Sequence, residues 1–270
     1  MTDSGHFEAG AFGDEGTGRG DVGASGFGNG ISDSRVVSHG AASDGGFAAA
    51  TVPALRGRLV SIQIGLPGQK VFEHPSDGRE AAYVSAIDKS TVLGPVLVGE
   101  TNLAGDGQAD LKNHGGPYRA ILAYSALHYP QWKQVCGLSF AYGAFGENFT
   151  VSGLTEENMC IGDILKVGEV ILQVSQPRSP CWKLGRKHRL PELPADVERL
   201  GWTGWYLRVL QTGTVEAGME IQLMERLYPK WTIRETHRIR KERLVMRDEA
   251  IALAACPELS PDWRDIFARV

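Results

Sequence analysis

VILQVSQPRSPCWKL (residues 170–184) begins as an apolar run and ends in a segment holding Pro177, Arg178, Ser179, Pro180 and Cys181. The apolar part predicts a strand. Each proline fixes its own φ and presses the residue before it, Gln176 or Ser179, toward an extended conformation. A stiff loop rather than a helix is therefore expected at the end of the strand. A thiol presented there beside Arg178 and Lys183 points to thiolate chemistry, because cations favour the form that acts as nucleophile and as soft metal ligand. The ordinary alternative is a buried, inert cysteine. Prolines and basic residues are poor core material, which argues against that alternative for Cys181.

Working outward, Val167-Gly168-Glu169-Val170 has the spacing of a tight hairpin joining this strand to the one before it. Residues 58–64, RLVSIQI, alternate apolar and polar positions as a half-buried strand does. Residues 82–87, 94–99, 120–124, 149–151 and 218–225 predict further strands, and 195–210 a helix followed by a strand. Gly65-Leu66-Pro67-Gly68, Pro75-Ser76-Asp77-Gly78 and Gly105-Asp106-Gly107 are turn signals. Many short strands with few helices predict a mainly β protein, a closed or nearly closed barrel with a few peripheral helices. The pattern then changes. Thr232 and Glu235 have capping-box spacing, Asp248 stands ahead of EAIALAA, and Ser260-Pro261 can start a last helix, so a small three-helix unit is expected at the C-terminal end. The expected division is a Gly-rich tail over 1–51, a barrel over 52–228 and the helical unit over 229–270. The basic run 238–243 reads as a solvated helix face, since no aromatic residues interleave with it to stack on bases.

Residues 1–51 are dominated by Gly, Ala, Ser and Asp and hold hardly any branched apolar residues. Such a segment cannot bury enough surface to offset its ordering entropy and is expected to be disordered. It lacks the apolar stretch of a secretory signal and is too acidic for an ordinary transit peptide. No apolar run approaches the roughly 20 residues that span a bilayer. A net charge of −4 over 270 residues gives no electrostatic case for nucleic acid or a membrane surface as partner. The four cysteines are widely separated and form no CxxC pair, which excludes the usual zinc and secreted-disulfide frameworks and fits a reducing cytoplasm.

Three other segments carry chemistry-bearing residues. In KNHGGPYR (112–119), Gly115 and Gly116 let the backbone approach a ligand, and Arg119 can fork onto phosphate or carboxylate. His114 by itself reads more readily as an ordinary hydrogen-bonded histidine than as a catalytic one. In GAFGENF (143–149), Glu147 and Asn148 stand at a Gly-flanked strand entrance. MCIGD (159–163) reads as a turn, with Cys160 in the core. Taken together, a thiolate, an imidazole, a carboxylate and anion-binding donors suit a phosphate-bearing cofactor with a soft metal, or a cysteine nucleophile assisted by His and Glu. No GxGxxG opens a helix and there is no Walker loop.

NHGGPYRAILAYS, then FGENFTVSGLTEENMCIGDILKVGEVILQVSQPRSPCWKL, then GWTGWYLRVL, strongly resemble MOSC-domain proteins of the YiiM-like branch, over residues 56–224. TIRETHRIRKERL onward is similar to the three-helix unit of that branch. The resemblance implies a MOSC-type β-barrel that binds the molybdenum cofactor (molybdopterin), with Cys181 as the molybdenum ligand. It implies a reductase of small N-hydroxylated compounds, among them hydroxylamino-purine base analogues, that serves detoxification without pyridoxal phosphate. Electrons would come from an external flavin or iron–sulfur reductase. The catalytic set implied is Cys181, Glu147 and His114, with Arg119, Asn148, Arg178, Ser179, Gly115 and Gly116 holding the pterin or its phosphate. Pairing into a homodimer is left open. MOSC domains also occur fused to a pyridoxal-dependent sulfurase, for which this chain has no room. The alternatives are a non-catalytic cofactor or sulfur-carrier module, and a metal-free hydrolase using Cys181 and His114.

Overall fold

Strand β1 (Arg56–Ile64) starts the part of the chain that the computed structural model describes, residues 55–73 and 80–270. The expected disordered tail and the expected turn at Pro75 to Gly78 lie outside the described residues. After β1 come β2 (Gly68–Glu73), β3 (Glu80–Ser85), β4 (Ser90–Val92), β5 (Val96–Val98), the short helix α1 (Leu111–His114) and β6 (Ile121–Ser125). Helix α2 (His128–Cys136) leads to β7 (Phe149–Ser152), β8 (Ile164–Val167) and β9 (Val170–Pro177). Helices α3 (Trp182–His188) and α4 (Leu193–Leu200) precede β10 (Trp205–Gln211), β11 (Gly213–Val215) and β12 (Glu220–Glu225). The chain ends in α5 (Ile233–Glu242), α6 (Arg247–Ala254) and α7 (Pro261–Phe267).

Seven strands run in the order β12-β8-β9-β10-β6-β7-β1, and the pairing of β1 with β12 closes them into a barrel. Strand β4 is added to β1, while β2–β3 and β5–β11 form separate two-stranded ribbons. The protein is therefore mainly β, as its alternating short runs predict. The β8–β9 hairpin has Val167 opposite Val170, with Gly168 in a left-handed conformation at φ 58°. The barrel ladders are antiparallel with one exception: β6 and β7 pair in parallel, joined by the crossover through α2. ILAYS of β6 is buried along its whole length, which explains its unbroken apolar run where a one-faced strand would alternate.

Leu59, Phe149, Val151, Leu165, Leu172, Trp205, Leu207 and Ile221 are buried in the main core. Each such side chain contributes about 1.5–3 kcal/mol by leaving water. Ile233, Ile239, Leu253, Trp263 and Phe267 from α5 to α7 belong to the same apolar cluster. Thr232 caps α5 by accepting from the Glu235 N–H at 3.0 Å, as its spacing predicts. Asp248 instead falls in the first turn of α6, where Met246 is the N-cap. The stiff loop is shorter than the sequence suggests. Strand β9 runs through Pro177, and α3 begins straight after Cys181. Among the described residues no helix is long and apolar enough to cross a membrane.

Two features of this frame have measurable consequences. Gly204 has φ +71°, and a Cβ there would sit 2.5 Å from the Ala123 carbonyl oxygen on β6. Gly204→Ala should cost about 2 kcal/mol or more, seen as a lower urea midpoint at unchanged slope. His237 on α5 is buried, and burial pushes its pKa down from 6.5 to about 4. The unfolded chain then binds the proton more readily than the folded one. Its contribution is complete above pH 6.5 and is lost as pH falls toward 4, by on the order of 3 kcal/mol. His237→Phe should flatten the stability curve across that interval in urea titrations.

Candidate functional site

Strand β9 leaves and β10 enters at one end of their ladder, β6 and β7 are entered from the opposite direction, and the segments flanking these strands line a cleft open to solvent. The cleft brings together Cys181, Arg178, Ser179, Asn148, Arg119 and His114 from the expected site. A β-bulge in the β9–β10 ladder, between Tyr206 and Leu207, turns the end of the sheet beside it, and Tyr206 lines the cleft.

Cys181 is half-buried and is the N-cap of α3, with Sγ accepting from the Lys183 N–H at 3.4 Å. Its extended backbone, φ −107° and ψ 150°, is the non-helical conformation of an N-cap residue. Cys160, by contrast, is buried, and burial pushes its thiol up to about 11, so it stays protonated. Arg178 is 5% exposed. Its Nη2 donates to the Phe145 carbonyl at 2.9 Å, and its backbone N–H to the Gly204 carbonyl at 3.1 Å. Nη1 is buried and has no partner among the described residues. Lys183 also lines the cleft and donates to the Val84 carbonyl at 3.2 Å. A buried guanidinium with a free donor calls for an anion.

His114 ends α1, a helix of one turn capped by Asp110, which accepts from the Asn113 N–H at 3.1 Å. Burial lowers the His114 pKa, opposed by Asp110, and the cations Lys183, Arg178 and Arg119 push it lower still. The imidazole facing the cleft is therefore neutral at pH 7. Gly115 and Gly116 do not line the cleft. Gly116, at φ 88°, turns the chain into the short 3-10 segment that presents Arg119. Arg119 forms an ion pair with Asp262 of α7.

Glu147 is also absent from the cleft wall. Its carboxylate is completely buried and accepts from the Tyr129 hydroxyl, the Gly143 N–H at 2.7 Å, the Phe145 N–H at 3.1 Å and the Thr150 hydroxyl at 3.0 Å. The amide of Asn148 is committed as well. Its oxygen accepts from the Leu122 N–H at 3.1 Å, and its nitrogen donates to Asp106 at 2.9 Å. Asp106 in turn pairs with Lys89, a cleft-lining cation whose pKa burial lowers against the pull of that carboxylate. Lys89 and Tyr206 belong to the site without any sequence signal, since each stands at or just before the start of a short strand among unremarkable neighbours.

Among the described residues no group of three His, Cys, Asp or Glu side chains is placed to hold a metal ion. A metal in this cleft would have Cys181 as its protein ligand and would need to bring the remainder of its ligands with it. An anionic cofactor carrying its own metal ligands fits that requirement. Cys181, Arg178 and the cations Lys89, Arg119 and Lys183 all line the same space, and Arg178 keeps one buried nitrogen without a partner among the described residues.

Residues 110–222 match the MOSC domain family. YflK of Bacillus subtilis (strain 168) is 38% identical over 214 residues, which cover 78% of this chain and 93% of that protein. A protein of Gibberella moniliformis (strain M3125 / FGSC 7600) named Reductase is 40% identical over 179 residues, 65% of this chain and 31% of that protein. The crystal structure of YiiM from Geobacillus stearothermophilus matches with a TM-score of 0.65 and 36% identity, covering 79% of this chain and 98% of that one. With the barrel, the cleft and these relatives in agreement, the chain belongs to the MOSC-domain family, on its YiiM-like branch.

Proposed function

We propose that the cleft holds the molybdenum cofactor and that the protein reduces N-hydroxylated small molecules. The observation that carries this reading is the meeting, in one cleft, of Cys181 with Arg178, whose buried guanidinium keeps one nitrogen unpartnered among the described residues. Arg178, Arg119, Lys183 and the Ser179 hydroxyl would hold the anionic end of the cofactor, and Cys181 would ligate the metal. The chemistry supplied by the bound cofactor is two-electron removal of the oxygen from the N–OH group. Overall, an N–OH group with two protons and two electrons gives N–H and water. The electrons would come from an external flavin or iron–sulfur reductase. The match covers under a third of the Gibberella protein named Reductase.

The protein's own task is to orient the substrate and deliver protons. His114 is the titratable group at the cleft suited to that role, and its depressed pKa makes its protonated form a strong acid present in small amount at neutral pH. Glu147, implied as its companion, already accepts four hydrogen bonds away from the cleft. That arrangement also supports a second reading, a non-catalytic cofactor or sulfur carrier, which needs no proton relay.

Elemental analysis of protein from a cofactor-competent host should find near-stoichiometric molybdenum. Cys181→Ala should lower it by about tenfold or more, the scale on which even a supporting group affects metal affinity, and abolish hydroxylamine reduction with an artificial electron donor. Loaded protein without turnover would favour the carrier, and full activity in the variant would remove Cys181 from the reaction. The pH profile separates the two titratable groups. Activity should rise as pH falls toward the lowered His114 pKa, below 6.5. His114→Gln should flatten that limb. Glu147→Gln should reduce stability, by about 1–3 kcal/mol for the disturbed donors, while leaving the shape of the profile in place.

A further inference from the structure

Helices α5 to α7 have no part in the function proposed above, yet two of their side chains reach the wall of the cleft. Arg240 Nη1 on α5 donates to Ser179 Oγ at 3.0 Å, and Asp262 on α7 pairs with Arg119. The Ser260 N–H adds a bond to the Ser175 carbonyl at 3.1 Å, on the strand that leads into the Arg178 loop. Arg240 is itself fixed, its guanidinium lying over the Trp263 ring 4.9 Å from the centroid. Trp263 is buried. The basic run is therefore not the uniform solvated face its composition suggests. Arg238 turns outward to Glu235 and Glu242 of its own helix, whereas Arg240 turns inward.

The Arg240–Ser179 bond has a chemical direction. Arginine only donates, so Ser179 Oγ offers Arg240 a lone pair and keeps its own proton for another acceptor. A hydroxyl that accepts from a cation becomes the stronger donor. Ser179 lines the cleft. We propose that the helical unit completes the binding site. Arg240 acts as a positioning residue that holds Ser179 as a polarised donor for an acceptor oxygen of the anionic ligand. The same bond stiffens the loop carrying Arg178 and Cys181. This rests on the cofactor reading above only for the identity of the ligand.

The test begins with full-length protein from a host unable to make the cofactor. Arg240→Ala and Ser179→Ala should each speed alkylation of Cys181 by iodoacetamide about tenfold, the effect of losing one charge-assisted hydrogen bond. Peptide mass spectrometry should show the buried Cys160 and Cys256 still unlabelled, which marks an intact fold. Arg238→Ala should match the wild type, and the double variant should be no faster than either single one. An unchanged rate in Ser179→Ala, or single effects that multiply in the double variant, would overturn the proposal even where Arg240→Ala fails to fold. In a cofactor-competent host both single variants should carry less molybdenum per chain than wild type. Equal content would remove Arg240's role toward the ligand. A wild type without molybdenum counts against the cofactor reading alone, and the alkylation rates then decide this one.

Discussion

A guanidinium buried without a carboxylate beside it is costly, and the cleft is organised around one. Arg178 is held by two carbonyls, its Nη2 on Phe145 and its backbone N–H on Gly204. Each carbonyl is fixed from behind by a buried glutamate. Glu147 accepts from the Phe145 N–H, and the Phe145 ring stacks on Tyr124 with centroids 4.5 Å apart. Glu156 accepts from the Gly204 N–H at 2.7 Å and binds His128 through its other oxygen, also at 2.7 Å. The negative charges thus stand one peptide away from the cation. They steady it without consuming Nη1, which has no partner among the described residues. An anion that binds there relieves an unmet donor, so occupancy and stability are linked.

The barrel explains why these groups meet where they do. Because β6 and β7 are parallel, both are entered from the same end, and the segments before them, carrying Arg119 and Asn148, arrive side by side. Strand β9 runs in the same direction as β6 and β7, and β10 returns antiparallel beside it, so the Arg178 loop faces the Gly204 turn that begins β10. Loops set on a rigid ladder can hold reactive groups to the small tolerances that chemistry demands. The buried aromatic cluster of Tyr124, Tyr129, Trp132 and Phe145 packs against the irregular Glu147 loop, and Tyr129 donates to the Glu147 carboxylate.

Local pattern made much of this visible before any coordinates. Alternation in RLVSIQI and the Gly168-Glu169 turn correspond to observed elements, and the proline-rich run after β9 marked the Cys181 loop. The ribbons GQKVFE and GTV, and the short strand STV, carry no alternation strong enough to announce them. They are strands because neighbouring backbone supplies their partners. The site divides in the same way. Motif order indicates which residues are near one another along the chain, not which way each one points. Glu147 and Asn148 are adjacent in sequence, yet one turns into the aromatic cluster and the other lines the cleft. Arg238 and Arg240 are two apart on a helix, so they leave it on opposite sides. Composition gives both the same reading. Only packing against Trp263 distinguishes them.

The segment matching the MOSC family spans 110–222, yet the cleft is not built from that segment alone. Lys89, its partner Asp106 and the Ser85 to Ile87 stretch come from before it, and Arg240 and Asp262 from after it. Cys181, Arg178 and His114 lie inside the matched segment. Helices α5 to α7 share the main core with the barrel, so they cannot be shed without exposing it. They are therefore as permanent a part of this cleft as the barrel loops, and selectivity between MOSC proteins is to be sought in such flanking walls.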